Sequence, residues 1–146
     1  MNPATVFSIV NVLPLPIWAI WILAPRSGVS RALAASLWPW QILAAIYLVF
    51  LCIAFGGGGG SGGAPDFSTL AGVMALFADD WGTLTGWVHY LCFDLFVARW
   101  IMNDAPDGGY RLAPVLFLTL MFGPVGLLLY TAARGFFRGP APVKAA

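Results

Sequence analysis

Charge is scarce in this sequence: seven basic and six acidic residues among 146 make 9%, where a soluble globular domain carries about 25%. An ordinary water-soluble domain is thereby excluded. Basic clusters are missing too, and the formal net charge is only +1. Nucleic acid is excluded as a partner, because phosphate recognition needs several convergent Lys and Arg. Histidine occurs once, at His89, and cysteine twice, at Cys52 and Cys92, without Cys-x-x-Cys spacing. One imidazole and two isolated thiols make neither a tetrahedral metal set nor a redox pair, so no metal and no cofactor is expected. The thiols read as small buried hydrophobes.

What the chain has instead is apolar surface, 60% of its residues, with a mean hydropathy of +0.86. The expected fold is all-α: a single-domain polytopic membrane protein, four transmembrane helices in a bundle plus a short interfacial helix in the central loop. The lipid bilayer is its first partner. Runs of membrane length, about 20 residues each, fall at about 4–24, 33–55, 81–102 and 112–133. No basic residue precedes the first run and it is too long for a signal peptide, so it reads as a retained helix. Asn11, Pro14 and Pro16 interrupt it; each proline frees a carbonyl one turn back, which predicts a kink packed against protein or facing a cavity. Trp18, Trp21, Trp38 and Trp40 suit a headgroup-level aromatic belt. Residues 56–65, GGGGGSGGAP, read as a flexible linker. Their formal G-x-G-x-x-G match carries no weight without a strand before it and a helix after it. Asp66 is placed to cap an interfacial helix over 67–78, and Asp79 and Asp80 to cap the third run. In the last run Gly123-Pro124 predicts a second kink. With four crossings, Arg134, Arg138 and Lys144 oppose Arg26, Arg31 and Arg111, which leaves orientation open.

The third run carries the chemistry. His89 and Asp94 lie near its midpoint, where an ionisable group costs about 2.5–3.5 kcal/mol even on lenient insertion scales and so faces a bundle interior, a pathway or a reaction. At about 100° per residue, Asp94 is roughly 140° round the helix from His89, and Arg99 a further 140°. Arg99 reaches Asp94 only by folding back, with Asn103 and Asp104 as competing partners. A carboxyl and an imidazole in a dry setting are raw material for general acid–base work. The alternative, a structural network tying helices together, stays open on these residues alone. Gly82-x-x-x-Gly86 permits close helix approach, within one chain or between copies.

Trp87-Val88-His89, Asp94-Leu95-Phe96-Val97-Ala98-Arg99, Asn103-Asp104 and Phe122-Gly123-Pro124-Val125-Gly126-Leu127 together closely resemble the abscisic-acid-deficient-4-like family, small membrane proteins whose plant type is needed for neoxanthin formation. Phe7, Asn11, Ala24-Pro25, Trp38-Pro39 and Leu76-Phe77 fit the same pattern in order, so the resemblance covers nearly the whole chain. It implies a four-helix membrane protein of carotenoid metabolism and, in plants, conversion of an epoxide carotenoid to an allene. Such an isomerisation needs an acid at oxygen, a base at carbon and an apolar slot for the polyene. The resemblance makes His89 and Asp94 the proton-transfer pair, in either assignment, and Arg99 the group that orients Asp94 or a terminal hydroxyl. Asn11, Trp87, Phe96 and Asn103, standing in its motifs, become the substrate-binding positions. Implied partners are a carotenoid or related isoprenoid, a second copy of the chain or other enzymes of the pathway. The sequence shows no plastid-targeting extension and is rich in Ala, Gly and Trp, so a bacterial cytoplasmic (inner) membrane is the expected location and the substrate need not be the plant epoxide. A non-catalytic pigment-binding or scaffolding subunit is the competing reading. A proton or small-solute carrier is disfavoured, because Asn11, Gln41, Thr119 and Tyr130 are too sparse outside the third run to line a path.

Overall fold

A computed structural model describes residues 2–56 and 66–138. Most of the expected linker, 57–65, and Lys144 lie outside the described residues. The chain is all-helical, with no strand among the described residues. Two compact units share it, residues 1–13 with 38–92 and residues 14–37 with 93–146.

In the first unit, α1 (Pro3–Val12) starts at Asn2, whose side chain accepts the Ala4 amide, with Pro3 where its missing N–H costs nothing. Helix α4 (Trp38–Phe55) begins later than expected, because Pro39 would clash with the carbonyl of Ala35 if the helix ran through. Helix α5 is shorter than the expected 67–78: it runs Leu70–Ala78 and is capped by Thr69, which accepts the Gly72 amide at 3.1 Å. Asp66 stands one step upstream and accepts from Ser68 and Thr69. The long helix α6 (Asp80–Asp104) is capped by Asp79, whose Oδ2 accepts the Trp81 and Gly82 amides. Val6, Val10, Phe50, Leu84, Val88 and Leu91 make this unit's core. Gly82 and Gly86 seat α5: a Cβ at Gly82 would strike the Leu76 carbonyl, and one at Gly86 the Phe77 ring. Their close approach is therefore spent within the chain.

The second unit takes up the chain at the predicted proline break. Leu13 and Pro14 keep near-helical dihedrals at that break, after which α2 (Leu15–Leu23) begins. Helix α3 (Gly28–Ala35) is capped by Ser27 and tied to α2 where Trp21 Nε1 donates to the Ser30 carbonyl at 3.2 Å. The second half of α6, a 3₁₀ turn (Gly109–Leu112), α7 (Ala113–Phe122), α8 (Pro124–Ala132) and α9 (Arg134–Arg138) complete it. Fully buried Trp18, Trp21, Leu95, Ile101, Leu116 and Tyr130 form its centre.

The kink expected at Gly123-Pro124 in the 112–133 run is a reversal between two helices. At Gly123 the backbone turns to φ +45°, ψ −94°, and α8 packs back along α7. Arg111, before α7, donates to the carbonyl of Phe136, after α8. The segment begins and ends at the same place, because Gly allows the left-handed φ and Pro124 then starts a new helix. Among the described residues, two helices are long and apolar enough to cross a membrane, Pro3–Leu23 and Trp38–Phe55. Only all-α character, then, of the expected four-span bundle is observed directly. Replacing Gly123 with Ala imposes a strained φ and puts a Cβ about 2.5 Å from the Asp94 carboxylate. Thermal unfolding in detergent micelles should show Gly123→Ala destabilised by about 1–3 kcal/mol, while Gly135→Ala, with open space around it, stays within about 1 kcal/mol of the parent.

Candidate functional site

Asp94 is the buried carboxyl of the described residues, 8% exposed. Its Oδ1 and Oδ2 lie against Gly123, the turn between α7 and α8, closely enough that any side chain there would collide. Leu95 and Ala98, in the same unit on α6, are also buried. A carboxyl so placed is shielded from bulk water.

Arg99 and Asn103 lie one turn apart on α6, and both are directed at the end of α3. Arg99 Nε donates to the Ser36 carbonyl at 3.2 Å and Asn103 Nδ2 to the Ala34 carbonyl at 2.9 Å. A cation and an amide there satisfy carbonyls that a helix end leaves open. Phe96 is exposed.

His89 belongs to the first unit and is exposed rather than buried, its ring 5.7 Å from that of Tyr47. Asn11 and Trp87, 76 positions apart in sequence, are joined: the indole Nε1 donates to Asn11 Oδ1 at 3.1 Å. Phe7 and Tyr90 flank the same indole at 5.7 and 5.6 Å. The structure thus groups Asn11 with Trp87 in one unit, and Arg99 with Asn103 in the other.

A further polar cluster centres on Asp104, which the sequence marks only as a competing partner for Arg99. Asp104, at the end of α6, accepts from Tyr130 Oη at 2.5 Å and from both Nε and Nη2 of Arg134, at 2.7 and 2.5 Å; Arg138 Nε stands 3.7 Å away. Arg134 also covers the Trp100 ring. The Asn-Asp pair at the end of α6 was the available signal, but Arg134 lies 30 residues on and proximity in sequence does not reveal it. The Arg134 hydrogen bond, followed by that of Tyr130, holds the Asp104 carboxyl well below the usual carboxylate range despite partial burial, and Arg134 is correspondingly raised. No group of three or more His, Cys, Asp or Glu side chains able to hold a metal occurs among the described residues.

These features define an all-helical protein with, among its described residues, two helices of membrane-crossing length and a carboxylate buried against a helix–turn–helix tip. The chain belongs to the ABA DEFICIENT 4-like family, whose model matches residues 5–130. It is similar to the Protein ABA DEFICIENT 4, chloroplastic, of Arabidopsis thaliana, with 26% identity over 142 residues that cover 90% of this chain and 61% of the plant protein. No solved structure matches it.

Because the Asp104 value in the folded state lies below the ordinary 3.8, its pairing contributes full stability above that pH and loses it as pH falls further. In micelles the melting temperature should therefore drop as pH is lowered through and below about 3.8. Asp104→Asn, less stable than the parent at pH 7, should show a much weaker acid dependence.

Proposed function

We propose that this chain is a multi-pass integral membrane protein of carotenoid metabolism that isomerises a carotenoid or related isoprenoid, with Asp94 as the proton-transfer group. The observation that carries the reading is the burial of Asp94 against Gly123, in a chain that also turns many large apolar side chains outward. Pro3–Leu23 and Trp38–Phe55 are only 33% and 28% buried over their most apolar stretches, whereas core helices of a soluble protein are mostly buried. Ile9, Leu23, Leu48, Phe93, Phe117 and Leu128 all face outward, as lipid or polyene contacts would require.

Family membership supports the substrate class: the resemblance to proteins of neoxanthin formation points to an epoxide-to-allene conversion or a related isomerisation. Such a reaction removes a proton from carbon and delivers one to oxygen as the C–O bond opens, so no oxidant or reductant is consumed. Asp94 suits either step. His89, exposed beside Tyr47, is the other titratable candidate on α6 and is best tested separately.

A non-catalytic pigment-binding or scaffolding subunit is the second reading, and the engagement of Arg99 and Asn103 with backbone carbonyls favours it. For these two residues the supported role is to fix α3 against α6.

A carotenoid-producing bacterial host supplied with an epoxycarotenoid pathway separates the readings by chromatographic pigment profile. A new isomer with the wild type, lost with Asp94→Asn at matched membrane level, is the expected outcome; profiles identical to those of the empty host would transfer the assignment to the binding reading. In the same host, loss of the isomer with His89→Gln assigns that imidazole to proton transfer, and its retention removes it.

A further inference from the structure

The arginines of this chain are not spread over it. All six lie in residues 14–37 and 93–146, while residues 2–13 and 38–92 contain no Lys or Arg and carry Asp66, Asp79 and Asp80. Within their unit, five of the six meet at one end. Arg26 covers the Tyr110 ring at 5.8 Å, Arg31 donates to the Arg26 carbonyl at 3.0 Å, and Arg111 donates to the Phe136 carbonyl at 3.4 Å. Arg134 and Arg138 converge on Asp104. Asp107 is the other acid of that end.

This convergence exists because α7 and α8 double back. We propose that α7–α8 is a re-entrant hairpin, which enters the bilayer from the arginine-bearing face, turns at mid-depth at Gly123-Pro124 and leaves by the same face, and that this face is cytoplasmic.

Three observations agree on the depth. Helix α7 has 10 residues and α8 has 9, about 15 and 13.5 Å at 1.5 Å per residue, half of a hydrocarbon core of about 30 Å. Asp94 lies ten residues before Asp104 on the same helix, again about 15 Å, and Asp94 is the residue that Gly123 meets. The non-helical backbone of the tip is covered by protein, since Gly123 and Gly126 are buried and Gly126 packs on the buried Thr119. Irregular backbone at membrane depth is tolerated only under that condition.

The charges agree on the face. Were 112–133 a single crossing, Arg134, Arg138 and the following Lys144 would oppose Arg26, Arg31 and Arg111 in a tie. The hairpin instead gathers the five described arginines, Arg26, Arg31, Arg111, Arg134 and Arg138, on one side, as the excess of Lys and Arg in cytoplasmic segments requires. The chain then crosses three times, at Pro3–Leu23, Trp38–Phe55 and the 81–102 stretch of α6, rather than four. Neither point depends on the isomerase assignment.

Labelling with a membrane-impermeant maleimide tests the proposal. In a background with Cys52 and Cys92 replaced by Ser, single cysteines are placed at Gly28, Asp107 and Gly135. A Cβ at Gly28 or Gly135 meets nothing within 4 Å and Asp107 is exposed, so all three variants should fold. All three should label in inverted membrane vesicles and stay protected in right-side-out spheroplasts. Opposite behaviour of Asp107→Cys and Gly135→Cys would show a single crossing between them and overturn the hairpin. Labelling of all three from outside the spheroplasts would overturn the cytoplasmic assignment.

Discussion

The contact on which the second unit depends is the bidentate pairing of Asp104 with Arg134, completed by the Tyr130 hydroxyl. It joins the end of α6 to the end of α8, and in doing so decides that the chain after α7 returns instead of continuing. Carboxylate and guanidinium match in shape as well as charge, so the pairing fixes direction and not merely proximity. Trp100 stands over the guanidinium, and Phe137 stacks on the fully buried Tyr130 ring. An ion pair of this kind is weak evidence for stability in general, but removing one partner leaves the other charge poorly compensated.

From that clasp the Asp94 environment follows. With the start of α7 and the end of α8 held near the end of α6, the hairpin tip must reach back along α6 by the length of α7. Ten residues of α7 measure the same rise as the ten from Asp94 to Asp104. Gly123 consequently arrives at Asp94. A residue with a Cβ would be strained in the turn and would crowd the carboxylate, so one glycine serves both the reversal and the surroundings of Asp94. Arg99 and Asn103 add a second tie, from α6 to the last carbonyls of α3.

The breaks in the fold were legible in the sequence, but not all their consequences. Pro14 and Pro16 announced the kink between α1 and α2, because a missing donor and a ring clash act locally. Gly123-Pro124 announced a second break, yet a kink and a full reversal use the same two residues; what separates them is a backbone dihedral and a partner 30 positions away. Assuming one crossing over 112–133 put Arg134 and Asp104 on opposite faces, which hid their pairing. Asp94 was legible as a buried carboxyl, since position in an apolar run is itself the signal. His89 occupied the same run and is nonetheless exposed beside Tyr47. Asn11 and Trp87 were separate candidates, and only folding shows that they bond to each other.

If the clasp directs the hairpin, the energies of its two partners must be strongly coupled. The most direct measurement is a double-mutant cycle on Asp104→Asn and Arg134→Gln, read as melting temperature in micelles at neutral pH. Each single variant should melt well below the parent, and the double variant should be about as stable as either single one. Strictly additive losses would contradict a directing clasp, because they would mean that the two residues stabilise the chain independently and that something else turns α8 back.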